Sequence, residues 1–222
     1  MASSSAITQV LETDVWTKAT WEEFLAFADD STWEKGKFYY DREQMRVEIS
    51  PVGPLHARHN SIIPYVVILF AALRNIRVVQ FANASFRKTG IREFQPDLAY
   101  YIGSDLRVPP NDSNSPVNLN EYDPPNLVIE IGASSFSDDL GGKRLLYEGT
   151  GIGEYWVERA NTREVFAFAI NGGGSGRIQE SRVLPGLEIA LVEEALNRSL
   201  TQDDGEINRW LIQTFSQNQR SI

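Results

Sequence analysis

Cysteine is absent from this chain, and several other features that identify common protein classes are missing as well. Without cysteine, neither a disulfide framework nor a thiolate metal site is available. No stretch approaches the roughly 18 consecutive apolar residues of a transmembrane helix. The N-terminal segment 1–14 lacks the basic region and apolar run of a secretory signal. We therefore expect a cytoplasmic protein that does not enter the membrane.

Basic residues are scarce, with 21 Lys and Arg against 30 Asp and Glu and a formal net charge of −9. This balance disfavours broad non-specific binding to nucleic acid, because such binding depends on Lys and Arg displacing counterions from phosphates. A local site remains open, since carboxylates gathered around a cation bind a polyanion through that cation. The basic stretch "FRKTGIR", 86–92, is either the lining of a DNA groove or a solvated hairpin, and we favour the hairpin.

The order of periodic segments predicts an α/β (α+β) fold, with a central mixed β-sheet flanked by helices and an N-terminal helix and β-hairpin. The 222 residues fit one domain. Gly141 and Gly142 fall inside one predicted helix, where each costs about 1 kcal/mol relative to Ala, so they indicate close backbone approach or a later helix start. The predicted elements are helices at 20–29, 56–73, 137–149, 191–199 and 205–217, a hairpin within 37–50, strands at 76–82, 84–89, 97–102, 127–131, 154–158 and 163–170, a surface excursion at 103–125, a flexible loop at 171–176 and a strand pair near 177–190.

Two carboxylates stand at the ends of apolar strands. Asp97 opens the strand in "FQPDLAYYI", and Glu130 follows three apolar residues in "NLVIEIGASS". Strand alternation places Glu130 on the same interior face as Val128, where a carboxylate without a partner is costly. A divalent cation such as Mg²⁺ is the obvious partner, because it prefers hard oxygen ligands. For either acid taken alone, a solvated strand end remains the alternative.

A metal-dependent hydrolase of this kind usually carries a lysine two residues after the second acid, where this chain has Gly132. The predicted helix 137–149 offers another lysine. It places Asp139, Lys143 and Tyr147 at i, i+4 and i+8 on its apolar side, which predicts that Lys143 faces the sheet. A lysine there orients or deprotonates a water, or stabilises developing negative charge. The alternative is a lysine that snorkels at the helix edge.

These motifs together resemble a known family. "PDLAYY", followed by "PPNLVIEIGASSFSDDLGGKRLLYEGTGIGEYWVE", is similar to the Uma2 family of endonucleases, also described as DUF820, a domain widespread in cyanobacteria. The similarity runs over roughly residues 17–170, and the joint spacing of its motifs is specific. It implies a restriction-endonuclease-like core of the PD-(D/E)XK nuclease superfamily. We expect that core at 17–170 and a C-terminal strand and helix extension at 171–222, within a single domain 1–222.

The resemblance also implies a metal site. Asp97 and Glu130 would bind Mg²⁺ or Mn²⁺, with the carbonyl of Ile131 as a third ligand. Lys143 matches the catalytic lysine that migrates to a neighbouring helix in the wider superfamily.

The remaining site residues follow the resemblance less closely. His56 stands where the family usually has a histidine, after "SPVGP", and it either contacts substrate phosphate or caps the long helix. Tyr147 is a second candidate for substrate contact. The family tends to carry a glutamate in its first hairpin, where this chain has Tyr40, and Glu48 or Glu43 is the candidate replacement.

We therefore predict a metal-dependent endonuclease that hydrolyses phosphodiester bonds of nucleic acid, with DNA as the expected substrate. A homodimer is expected, because nucleases that cut both strands often pair. The alternative is a catalytically inactive module of the same fold with a binding or regulatory role, which the acidic pI near 4.8 and the missing hairpin glutamate favour. A weaker alternative is a hydrolase of small phosphorylated substrates.

Overall fold

The strand-forming and amphipathic segments fold into two β-sheets with helices packed against them. The computed structural model describes residues 12–33, 36–49, 53–132 and 135–218. Residues 1–11, which make up most of the segment inspected for a secretory signal, lie outside these ranges. Within the described ranges, no helix combines the length and apolarity needed to cross a membrane.

The helices follow the apolar periodicity of the sequence. In the described ranges they are α1 Trp21–Ala28, α2 Pro54–Leu73, α3 Phe136–Asp139, α4 Gly142–Glu148, α5 Ile189–Arg198 and α6 Asp204–Asn218. Thr20 and Glu23 form a capping box at the start of α1, each side chain accepting a hydrogen bond from the backbone N–H of the other residue. The long helix α2 begins at Pro54, two residues before the predicted start, and Pro64 lies inside it.

The strands form two six-stranded sheets, both mixed. The first has the order β1-β3-β2-β6-β5-β8 and the second the order β12-β11-β10-β9-β7-β4. Only β5 with β8 and β9 with β10 pair in parallel among these neighbours, and α3 and α4 form the crossover between β9 and β10. The strands are β1 Thr17–Lys18, β2 Lys37–Asp41, β3 Gln44–Glu48, β4 Val78–Ala82, β5 Phe86–Lys88, β6 Arg92–Phe94, β7 Leu98–Ile102, β8 Val117–Asn118, β9 Leu127–Gly132, β10 Glu154–Arg159, β11 Glu164–Asn171 and β12 Gly174–Ile178.

The second sheet is buried on both faces. On β10, Trp156 joins the core formed with α2, α5 and α6, whereas Tyr155 and Val157 join a core shared with the first sheet and α4. Phe70 of α2 meets Phe215 of α6 edge to face, with ring centroids 5.2 Å apart. The expected sheet with flanking helices is therefore confirmed. The first sheet contains the predicted hairpin, β2 and β3.

The predicted helix 137–149 is wrong as a single element. It is divided into α3 and α4, because Gly141 adopts φ −106° and ψ −101°, outside the helical region. Of the two explanations for the glycine pair, close approach applies to Gly142, where an added Cβ would collide with the indole of Trp16. The absence of a side chain at Gly142 therefore lets Trp16 of the N-terminal segment pack against the crossover.

The predicted flexible loop 171–176 is also wrong. Asn171 ends β11, and Gly172 and Gly173, with φ of 61° and 80°, form the turn that leads directly into β12. Glycine suits this turn because both positions have positive φ. The predicted strand pair near 177–190 reduces to the end of β12 and an isolated bridge between Glu180 and Glu188.

The hairpin interpretation of "FRKTGIR" is confirmed by antiparallel pairing of β5 with β6. Its arginines are engaged in ion pairs. Arg87 contacts Glu93 and, at 2.7 Å, Asp29, while buried Arg92 lies 2.7 Å from Asp41. They are therefore not a free basic lining for a groove.

Candidate active site

Strand pairing brings the two predicted acids together. β7 and β9 are antiparallel neighbours with Leu98 opposite Ile129, so one step further along the ladder sets Asp97 opposite Glu130. Both side chains are buried, with 2% and 1% of their residue surface exposed. Two carboxylates in this position need cationic or hydrogen-bonding partners, because burial disfavours their charged form.

Asp97 receives three such partners. The N–H of Ile131 donates to Oδ2 at 2.8 Å, while the ammonium of Lys37 and Nε2 of His56, the latter at 3.1 Å, contact Oδ1. Burial by itself would raise the pKa of Asp97, but the hydrogen bond from His56 and the charge of Lys37 outweigh it and lower that pKa. Asp97 is therefore a carboxylate whose Oδ1 attracts cations.

Glu130 lies in a different environment. Its Oε1 accepts hydrogen bonds from the hydroxyls of Tyr147 at 2.6 Å and Tyr39 at 3.3 Å. No hydrogen bond reaches Oε2 from the residues that the structure describes. Burial raises the pKa of Glu130 to about 8, with the negative charge of Asp97 adding to the effect and Lys143 opposing it. Without a further cation, Glu130 holds a proton near neutral pH.

Lys143 is buried, as the helical spacing predicts, but its closest partners differ from the expected one. Nζ lies 2.9 Å from Glu48 Oε1 and 2.9 Å from Asp139 Oδ1, and 3.9 Å from Glu130 Oε1. The last distance exceeds a hydrogen bond. Burial would lower the pKa of Lys143, but the surrounding carboxylates outweigh burial and raise it. Lys143 is thus a fixed positive charge at the centre of an acidic cluster.

Glu48 supplies the carboxylate of the first hairpin. It ends β3, and its pKa is lowered because the charge of Lys143 and hydrogen bonds from Lys143 and Arg46 outweigh the effect of burial. Tyr40 instead faces Trp21 and Phe24 of α1. Of the two candidate replacements, Glu48 therefore reaches the site, whereas Glu43 is exposed in the hairpin turn.

Lys37 is the site residue that the sequence reasoning missed. It is the first residue of β2, and its side chain remains 21% exposed beside Asp97. One signal for it exists in the sequence: Lys37 and Tyr39 are two residues apart on a strand, so they share a face. Tyr39 reaches Glu130 from that face as Lys37 reaches Asp97.

The structure also explains why no lysine occupies position 132. A Cβ on Gly132 would lie 2.7 Å from Oδ2 of Asp139 and 3.0 Å from Cα of Phe136. Asp139 is itself held by the hydroxyl of Ser135 at 2.7 Å. The space that a side chain at position 132 would need is already filled by α3.

The donor set fits a hard divalent cation. Each acid has one oxygen held by a neutral donor, and its second oxygen either attracts cations, as in Asp97, or has no hydrogen-bond partner among the described residues, as in Glu130. No group of three or more His, Cys, Asp or Glu side chains suited to a metal is found in the described ranges. A pair of carboxylates is nevertheless what Mg²⁺ commonly uses, because this ion keeps several of its waters. The N–H of Ile131 holds Asp97, while its carbonyl stays a predicted ligand.

Comparisons with known proteins bear on the family and the fold of this chain. The sequence profile of the Uma2 family, described as "Putative restriction endonuclease", matches residues 21–211. A solved structure, described as a "putative nuclease belonging to DUF820" from Anabaena variabilis, superposes with a TM-score of 0.55 at 19% identity, over 80% of this chain and 98% of that one. No curated protein matches the chain. The superposition supports the restriction-endonuclease-like fold.

Adding a methyl group at position 132 is expected to destabilise the fold. Gly132→Ala should lower the free energy of unfolding by about 1–3 kcal/mol, because Asp139 and Phe136 must move to admit it. Urea unfolding measures the change. Gly176→Ala is the matched control, since it also lies in a strand and an added Cβ there meets no atom within 4 Å. Equal stability of the two variants would contradict this account of the missing lysine.

Neutralising Glu130 is expected to alter how stability depends on pH. The folded chain holds the Glu130 proton up to a pH of about 8, above the unfolded pKa, so the contribution of Glu130 to stability falls as pH rises through this window. Relative to wild type, Glu130→Gln should therefore gain about 1–3 kcal/mol between about pH 5.5 and 8.5. Urea unfolding in EDTA at both pH values measures this gain. Exposed Glu22→Gln is the control, and a pH-independent effect of Glu130→Gln would contradict the raised pKa.

Proposed function

The chain belongs to the Uma2 family, and from this premise we propose that it is a metal-dependent endonuclease that hydrolyses phosphodiester bonds of nucleic acid, with DNA as the expected substrate. The observation that carries the proposal is the buried pair Asp97 and Glu130, each anchored through one oxygen. The expected homodimer stays a prediction.

We assign the metal to this pair. Asp97 and Glu130 would hold Mg²⁺, with the carbonyl of Ile131 as the predicted third protein ligand. When bound, such an ion polarises the phosphoryl group and lowers the pKa of a coordinated water. The chain prepares for this charge: the tyrosine hydroxyls orient Glu130, and the Ile131 N–H orients Asp97. Glu130, whose pKa is raised to about 8, would have to give up its proton to hold such an ion.

Two lysines then have different roles. Lys37 is partly exposed at Asp97, so its ammonium is available to the non-bridging oxygens of a phosphodiester, where it stabilises developing negative charge. His56 approaches the same carboxylate oxygen and is 18% exposed, which makes it a second donor to phosphate. Lys143 is 1% exposed and already contacts Glu48 and Asp139. We assign it the role of positioning these acids, rather than that of activating water.

Tyr147 is likewise a positioning residue in this proposal. Its ring is fully buried and its hydroxyl donates to Glu130, so contact with substrate would need the core to open. Its pKa is raised well above the ordinary value by burial and by the charge of Glu130. Tyr147 therefore keeps its proton and remains a donor to Glu130 in the physiological range.

Metal binding is expected to depend on both acids. Isothermal titration of the wild-type protein with Mn²⁺ should show binding, and Asp97→Asn and Glu130→Gln should each weaken it by at least about 10- to 100-fold, the loss typical of changes around a metal site. Asp112→Asn, in the exposed excursion, is the matched control. Absence of Mn²⁺ binding, or equal binding by all variants, would contradict the metal site and favour the inactive binding module.

Cleavage is expected to separate the two lysines. Lys37→Met should reduce cleavage of plasmid or oligonucleotide DNA in Mg²⁺ or Mn²⁺ by about 10²–10³-fold, the usual effect of removing one transition-state donor. It should cost less stability than Lys143→Met, because the Lys37 side chain is 21% exposed and that of Lys143 only 1%. Lys143→Met should instead lose about 3–5 kcal/mol of stability, because its carboxylate partners are left buried without their counter-charge. Exposed Lys88→Met is the control.

The outcomes of the cleavage assay are separable. Failure of the wild-type protein to cut any DNA or RNA offered would reject nuclease activity. Wild-type cleavage rates in Lys37→Met would reject the role of Lys37 while leaving the acids unaffected. A stable Lys143→Met variant that has lost activity would restore Lys143 as the lysine that acts on water.

A further inference from the structure

A cavity of about 1060 Å³ opens beside the candidate active site. One wall is the segment that follows α1, and the opposite wall is the excursion around Pro109–Val117. Its lining connects directly to the acid pair. The N–H of Asn83 donates to the carbonyl of Asp97 at 3.0 Å, and the carbonyl of Gln95 accepts a hydrogen bond from Tyr39 at 2.9 Å. These two hydrogen bonds place one edge of the cavity, at Asn83 and Gln95, next to the backbone of Asp97 and the hydroxyl of Tyr39.

The walls of this cavity combine aromatic rings with carboxamides. Trp33, Phe81 and Tyr122 are partly exposed along it, and the exposed side chains of Asn83 and Asn111 lie at its edge. Aromatic faces stack on planar heterocycles, while carboxamides pair with the donors and acceptors at the edges of such rings. This combination suits a planar, uncharged, hydrogen-bonding ligand.

The charges at the cavity argue against a phosphate group as its occupant. None of the described residues that line it is Lys or Arg, and three of them are acidic: Asp29, Asp30 and Glu93. Two of these acids are neutralised from behind by Arg87, which contacts both Asp29 and Glu93. The ammonium of Lys37 and the imidazole of His56 lie instead at Asp97. Phosphate therefore favours the acid and metal side, and a neutral group favours the cavity.

We propose that this cavity binds an unpaired nucleobase of the substrate strand, adjacent to the phosphodiester held at Asp97 and Glu130. The inference rests on the proposed nuclease function and specifies its substrate: a strand whose bases are free to leave the stack. The volume is at the upper end of the roughly 300–1,000 Å³ typical of small-molecule pockets, so it admits a base with its sugar. Duplex DNA presents its bases only after unpairing, at a cost of a few kcal/mol.

Binding in EDTA tests the cavity separately from cleavage. Fluorescence anisotropy would compare four labelled strands of equal length: single-stranded DNA, single-stranded RNA, duplex DNA and a strand of abasic deoxyribose phosphates. Both base-bearing single strands should bind at least about tenfold more tightly than the abasic strand, since one stacked base contributes about 1–3 kcal/mol. The duplex should bind more weakly than either. DNA and RNA arms identify which sugar the site accepts.

Cavity variants test where the base binds. Trp33→Ala should weaken binding of the single strands about tenfold, from the loss of one stacking ring, and leave the abasic strand unchanged. Tyr122→Ala provides a second variant on the opposite wall should Trp33→Ala lose its fold, which thermal melting detects. Trp210→Ala is the matched control. Trp210 is also a partly buried tryptophan, but it lies on α6, where it packs beside Arg198 of α5.

Each result has a defined meaning. Equal binding of the abasic and base-bearing strands, absence of strand binding, or wild-type affinity in both folded cavity variants would overturn the proposal. Base-dependent binding without cleavage by the wild-type protein in Mg²⁺ would uphold the cavity and reject the nuclease. Cleavage without base-dependent binding would uphold the nuclease and reject the base-binding cavity.

Discussion

The burial of two neighbouring carboxylates, Asp97 and Glu130, is the constraint on which the rest of the site depends. Two neighbouring carboxylates that are buried from water are stable only when cations or protons neutralise them. The chain supplies Lys37 to one acid, Lys143 near the other, and a proton on Glu130. The proton is the least fixed of the three, because a divalent cation can take its place. In the proposed metal site, affinity for the ion would thus follow from the same burial that makes the bare pair of carboxylates unfavourable.

The two sheets supply different residues of the candidate active site. The second sheet fixes the acids, since β7 and β9 are neighbours with interior side chains on both faces. The first sheet brings the hairpin of β2 and β3 over them and delivers Lys37, Tyr39 and Glu48. The crossover adds Lys143 and Tyr147 from α4. Because the contributors come from the second sheet, the hairpin and the crossover helix, the site depends on how these three units pack. Movement of the hairpin would remove Lys37 from Asp97 and Tyr39 from Glu130.

The sequence predicted the site residues that a local pattern identifies, but not those whose partners are far away along the chain. Glu130 was recognisable from strand alternation, Asp97 from its place at the start of an apolar strand, and Lys143 from helical spacing, although Gly141 interrupts that helix. These signals are local. Lys37 and Glu48 meet their partners across 60 and 95 residues, and no periodicity encodes which strand of one sheet covers which acid of the other. The prediction of a flexible loop at 171–176 was wrong for a related reason. A Gly-rich segment is typical of a loop, and only its pairing with β11 shows that it forms a turn and a strand.

The position of the lysines bears on the acidic character of the chain. A net charge of −9 disfavours a protein that holds nucleic acid by a broad basic surface, and the arginines of the β5–β6 hairpin are engaged in ion pairs. In the proposed function, affinity would come from few, well-placed contacts: a cation at the acids, Lys37 and His56 at the phosphate, and a cavity of aromatic and carboxamide groups whose described lining contains no Lys or Arg. Such a surface repels most of a duplex backbone. Under the proposal it would instead accept a strand that offers a phosphate and a free base together, because stacking of a base on aromatic rings needs no positive charge on the surface.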